Sequence, residues 1–170
     1  MDRDALRALQ RPLKERYREE PGAALLTLRA AGDLDDGGVA CSVDTGRAIV
    51  EAGLHPATGG DGTAACSGDM LLQALVACAG VTLRAVAVNT GLRVAGTVTA
   101  EGDLDVRGTL GVDPEAPVGF AAIRLRFDLR TDATPEQLAA LVATTERCCV
   151  VLQTLVGGPA VTVDHEAAPL

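Results

Sequence analysis

The chain has 170 residues, 48% hydrophobic and 22% charged, a balance that suits one folded globular domain and excludes a disordered chain. Its formal net charge of −8 and its three aromatic residues, Tyr17, Phe120 and Phe127, argue twice against nucleic-acid binding, which needs clustered Lys and Arg for phosphates and aromatic rings for base stacking. The odd figure is five cysteines against two histidines.

In chain order, residues 2–20 are charge-rich, with Leu6, Leu9, Leu13 and Tyr17 at helical spacing around Pro12. They read as a short, broken amphipathic helix on the body of the protein, or as a frayed tail. We expect residues 1–22 to be a helical extension and 23–170 the domain proper. The start of the chain is charged from its second residue and has no apolar h-region of a secretory signal. The most apolar window, residues 71–88, carries Gln73, Thr82 and Arg84, so a membrane span is not expected. A soluble, cytoplasmic protein is expected.

Residues 24–30, 39–43 and 47–51 read as strands, separated by the turn signals Asp35-Asp36-Gly37-Gly38 and Asp44-Thr45-Gly46. HPATGGDGTAACSG (55–68) reads as a long loop, a common place for function. A helix is expected over 69–89, with Ser67 as N-cap, Asp69 in the first turn and Gly91 closing it. At 100° per residue, Leu71, Ala74, Leu75, Cys78, Val81, Thr82 and Ala85 share one face, read as the buried one. Residues 93–109 suggest two strands around Gly102, and 121–129 one strand alternating Ile123, Leu125, Phe127 and Leu129 with charged residues. Thr134-Pro135-Glu136-Gln137 is a helix start with a capping box. The helix then carries Leu138, Leu141, Val142, Thr145, Cys149, Leu152 and Val156 on one stripe, ended by Gly157-Gly158-Pro159. A last strand is expected over 160–164. Strands with two long helices packed on antiparallel sheet make an α+β fold.

Each expected long helix carries a cysteine on its apolar stripe. On the second, Cys149 lies roughly 30° from the stripe direction and Cys148 roughly 70°, so Cys149 is the inward-facing thiol. Such cysteines are commonly inert small hydrophobes. The odd number, without CxxC, HExxH or a Cys/His cluster, fits neither a disulfide framework nor structural zinc. No cofactor or metal is expected.

CSGDMLLQALVACAGVTLRAVA (66–87) and ERCCVVLQTL (146–155) resemble the two signature helices of the OsmC/Ohr family, the osmotically induced and organic hydroperoxide resistance proteins. The resemblance covers roughly residues 24–164. It implies the OsmC-like fold, an antiparallel sheet with two long central helices in an intertwined homodimer, and thiol peroxidase chemistry. Cys78 would be the peroxidatic thiol, oxidised by an organic hydroperoxide to a sulfenic acid. Cys149 would resolve it, and a dithiol, lipoyl-type in the hydroperoxide resistance branch, would reduce the disulfide.

A cysteine among apolar residues is a poor nucleophile unless a cation or donor lowers its pKa. Relatives use an Arg held by a carboxylate. Asp69 stands where many relatives have Glu, yet it lies about 13 Å along and about 180° around a straight helix from Cys78. It would act through an Arg or across a dimer interface, or simply as a first-turn acid. Relatives carry the Arg near the first hairpin turn, which has none here. Arg29 and Arg47 flank it, and Arg47 is the candidate, with a solvated strand face as its other reading. Cys148 stands where relatives commonly carry an aromatic, and Cys41 and Cys66 match no family cysteine. His55 is a candidate for the pocket mouth. The competing function is a ligand-binding or stress-associated protein of the same fold that holds a small hydrophobic molecule with little turnover. An inert, purely structural pair of thiols is the third reading. One Lys among fifteen basic residues suggests a GC-rich bacterial genome.

Overall fold

The computed structural model describes residues 3–34, 41–43, 52–63 and 65–166, with side chains from 8–27, 53–63 and 65–166. Four strands form an antiparallel sheet in the order β2-β1-β5-β6: β1 (Leu25–Leu34), β2 (Cys41–Val43), β5 (Val94–Asp105) and β6 (Phe120–Thr131). β3 (Ala52–Gly53) and β4 (Ala65–Cys66) make a short parallel pair. The helices are α1 (Arg3–Glu19), α2 (Ser67–Thr90), α3 (Val106–Thr109), α4 (Pro135–Cys148) and α5 (Val150–Gly157). The architecture is mixed helix and antiparallel sheet, as the α+β reading expects. The turn at 35–38 and residues 44–51, including the expected strand at 47–51, lie outside the described residues.

α2 is the spine. It lies across β1 and β5 on one side and meets α4 and α5 on another. Leu72, Leu75, Val76, Ala79 and Leu83 are fully buried beneath it. Ridges of these side chains face Val94, Val98 and Ala100 of β5 in the same cluster. The buried Arg84 donates to the Val94 carbonyl at 2.8 Å, tying the C-terminal half of α2 to the start of β5. Gly91 at φ 71 ends the helix in the left-handed conformation that glycine tolerates. By length and mean hydropathy, 1.9 over 18 residues, α2 would pass for a membrane span. Its packing on the sheet marks it instead as a core helix.

The buried face is the correction that matters most. The stripe expected to be inward, Leu71 to Ala85, is largely the open one: Leu71, Ala74 and Val81 are exposed and Cys78 is half-buried. α2 is apolar nearly all round, so periodicity could not say which side the sheet would take. The helix also starts two residues earlier than expected, with Cys66 rather than Ser67 at the N-cap.

Other expectations change for local reasons. Residues 94–105 form one continuous strand instead of two, because β5 is paired along its length with both β1 and β6. Phe120 lies over Gly102, where a β-carbon would meet its ring at 2.4 Å. Glycine is therefore needed there for close packing and not for a turn. Residues 160–164 form no strand, and Val161 and Val163 are exposed. Pro12 does not break α1, which runs through it. α1 is docked: Tyr17 is buried against Ala24, Val106 and Leu110. Its hydroxyl donates to the Ala57 carbonyl at 2.8 Å. The Thr134–Gln137 capping box forms as expected.

Gly96 of β5 has φ 144, and a β-carbon there would lie 2.1 Å from the Asp128 carbonyl oxygen of β6. Gly96→Ala is expected to destabilise the protein by about 2–3 kcal/mol or more, from backbone strain and lost pairing. Gly119→Ala, in open space, is expected to change little. Urea unfolding of the two variants checks the contrast.

Candidate active site

The second helical stretch is not one helix. It bends by 64° between α4 and α5, with Cys149 at the junction in an extended conformation (φ −73, ψ 107). Neither Pro nor Gly causes the break. A continuous helix would bond the Val150 N–H to the Glu146 carbonyl, four residues back. Here the Gln153 side-chain amide takes that carbonyl instead, Nε2 to O at 2.9 Å. Thr145, buried just before the break, bonds its own hydroxyl to the Leu141 carbonyl at 2.8 Å. The first N–H groups of α5 are left without helical acceptors.

The N–H groups of Val151 and Val150, the Cys149 thiol and the Thr82 hydroxyl, one turn along α2, each act to lower the Cys78 pKa. Burial pushes the Cys78 pKa up, but these donors outweigh it, and the thiol titrates below its ordinary value. Cys149, fully buried, shifts the other way. Burial raises its pKa, its bond to Cys78 and the charge there raise it further, and the N–H groups of Leu152 and Val151 offset only part of this. Two thiols in contact are thus polarised in opposite senses: Cys78 toward thiolate, Cys149 toward the neutral donor. Both are free thiols, as are Cys66 and the exposed Cys148. The inward Cys149 and outward Cys148 follow the sequence expectation.

The expected carboxylate and Arg do not join this pair among the described residues. Asp69 sits in the first turn of α2, where partial burial raises its pKa and His55 lowers it. Its electrostatic neighbour is His55, at the N-terminal end of the helix. Arg47 lies outside the described residues; Arg29 is placed in β1 opposite Glu101.

His55 does line a cavity, as expected of a residue at a pocket mouth. The cavity, about 390 Å³, lies at the N-terminal end of α2. Leu26, Leu54, Leu71, Leu104, Val118 and Phe120 supply much of its wall. Cys66, Ser67 and Gly68 contribute its more polar edge. His55 Nδ1 accepts from the Ala57 N–H at 3.0 Å, which leaves the proton of the neutral ring on Nε2.

The fold matches a known class. The model of the OsmC-like protein family matches residues 60–164, a stretch that holds α2, β5, β6, α4 and α5, and the chain belongs to this family. Among solved structures, it is similar to an OsmC-like hydroperoxide resistance protein from Jannaschia sp. CCS1. The identity is 16%, over 86% of this chain and 95% of that one, with a TM-score of 0.54. At that identity the likeness shows the fold. No curated protein matches this chain in sequence.

Sequence reasoning missed the donors. Thr82 was within reach of it, four residues after Cys78 on the same helix. The amides of Val150 and Val151 carried no signal, because nothing in ERCCVVLQTL announces a break.

The opposite shifts have a measurable consequence. With its pKa lowered, Cys78 is thiolate at lower pH than an ordinary exposed thiol. The pH profile of its alkylation by iodoacetamide, followed by peptide mass mapping, is expected to rise and level off at lower pH than that of free N-acetylcysteine. Cys149 is expected to react last.

Proposed function

We propose that the protein is a soluble, cytoplasmic thiol peroxidase that reduces organic hydroperoxides through Cys78 and Cys149. The observation that supports this is the contact between a thiol with lowered pKa and a second thiol with raised pKa, half-open in an apolar setting. The Cys78 thiolate attacks the outer oxygen of ROOH, the O–O bond breaks, and RO⁻ leaves to take a proton as ROH. Cys78 is then a sulfenic acid. Cys149 attacks that sulfur, water leaves with the Cys149 proton, and a disulfide forms. An external dithiol, of lipoyl type as in the hydroperoxide resistance branch, returns both thiols and is itself oxidised to its disulfide. In the first step Cys149 stays protonated, as its raised pKa provides, and it gives up that proton when it attacks the sulfenic acid. Roles for Asp69 and Arg47 remain part of this proposal: Asp69 acting across a subunit interface, and Arg47 as a cation near Cys78.

The active form is a homodimer in this proposal. Leu71 (38% exposed), Val81 (40%) and Val88 (55%) run along the open side of α2, on the same side as Cys78. A second copy of this chain covering that stripe would exclude water from the sulfur and bring another Asp69 near it. Val81→Asp is expected to convert a dimer to monomer in sedimentation velocity and to slow peroxide consumption.

One equivalent of cumene hydroperoxide is expected to remove two thiols per chain within minutes. Cys78→Ser is expected to lose none, and Cys149→Ser to accumulate a sulfenic acid trapped by dimedone. The competing reading, a binder of small hydrophobic molecules with little turnover, draws on the 390 Å³ apolar cavity. Thiols untouched by peroxide, with a lipid co-purifying, would favour it and end the peroxidase proposal.

A further inference from the structure

α1 lies outside the stretch that the family model matches, yet it is firmly docked. Tyr17 is 3% exposed and packs with Ala24, Val106 and Leu110. Its hydroxyl donates to the Ala57 carbonyl at 2.8 Å, and the Gln10 side-chain amide donates to the Thr58 carbonyl at 3.1 Å. Both acceptors belong to the short 3-10 turn Pro56–Thr58. Gln10 packs closely over the end of this turn, where a β-carbon on Gly59 would lie 3.1 Å from its Cγ.

That turn is wired to His55. The buried Thr58 donates its hydroxyl to the His55 carbonyl at 2.9 Å, and the Ala57 N–H holds the imidazole through Nδ1. Leu54, His55 and Thr58 form one wall of the cavity at the N-terminal end of α2, and Val106 and Thr109 of α3 stand in another. α1 touches both the turn and α3. A helix fastened to two walls sets the distance between them.

The walls define the ligand. A cavity of about 390 Å³ lined mainly by leucine, valine and phenylalanine is of the size and character that take small organic molecules. His55 offers an Nε2 proton to an acceptor oxygen. No Lys or Arg is among the described lining residues, and the electrostatic neighbour of His55 is the carboxylate of Asp69. An anionic head group would lose its hydration here with no cation to replace it.

We propose that α1 is a strap that holds this cavity in shape as a binding site for a small, neutral, largely aliphatic molecule with one acceptor oxygen, such as a medium-chain alcohol or ketone, with Tyr17 as the positioning residue and His55 as the donor. The end of the cavity at His55 and Asp69 is more than two helical turns from Cys78. The site is additional to the thiol chemistry: it uses the cavity of the competing reading without requiring idle thiols.

Binding of the neutral fluorescent probe N-phenyl-1-naphthylamine to the full-length protein, and its displacement by 1-octanol, tests this. Saturable binding is expected, with octanoate displacing the probe at least about tenfold less effectively than 1-octanol. Val118, 65% exposed at the cavity edge, tolerates a larger side chain, and Val118→Trp is expected to weaken the probe about tenfold by filling the space. Tyr17→Phe is expected to weaken probe and octanol alike, about three- to tenfold, while Arg18→Ala, on the exposed side of the same helix, changes neither. His55→Asn keeps an acceptor for the Ala57 N–H but shortens the donor. It is expected to weaken octanol about three- to tenfold and to leave the probe, which has no acceptor oxygen, unchanged. Cys78→Ser is expected to bind both as the wild type does. Failure of the peroxidase proposal is read from thiol counts and leaves these affinities standing. Absence of saturable binding, wild-type affinity in Val118→Trp, or lost binding in Cys78→Ser would overturn the proposal. So would a Tyr17→Phe variant that loses thermal stability but keeps full affinity, which is a merely structural role, or octanoate competing as well as 1-octanol. Thermal unfolding of each variant confirms that the affinities compare folded proteins.

Discussion

A sulfur anion among aliphatic side chains loses its hydration, and the loss raises the thiol pKa unless donors replace the water. In this protein the replacement comes from a broken helix. The chain turns by 64° at Cys149, and the first amides of α5 beyond the turn, with the Cys149 thiol, lower the Cys78 pKa. Much of the rest serves that placement. α2 must lie rigidly on the sheet for Cys78 to meet the break, and its fully buried leucines and valines, with Arg84 fastened to β5, hold it there.

The same helix has two unlike sides. One is sealed against β1 and β5, and the other keeps Leu71, Val81 and Val88 in the open. Cys78 sits at the boundary between them, buried enough for low polarity and open enough to meet a small molecule. Nothing in the helix's own sequence distinguishes the two sides, because both are apolar. The distinction arises when the sheet covers one of them.

The N-terminal end of α2 has a separate character. There Asp69 and His55 are electrostatic neighbours and the apolar cavity opens, more than two helical turns from Cys78. This spacing argues that Asp69 does not act on Cys78 of its own chain. Arg47, the cation that the family resemblance implies, lies outside the described residues.

Local chemistry encodes a good part of this protein. The Thr134–Gln137 capping box, the glycine stop at Gly91, the alternation of Ile123 to Leu129 and the placement of Cys78 on a long helix were all legible, because caps, turns and periodicities are set within a few residues. The resemblance of two cysteine-bearing segments pointed to the OsmC-like family, and the fold agrees. Tertiary structure alone decided which face of α2 is buried, whether β5 runs unbroken past Gly102, and where the second helix breaks. Those outcomes depend on partners far away in the chain: the sheet beneath α2, the strands on both sides of β5, and the packing of α4 and α5 against α2.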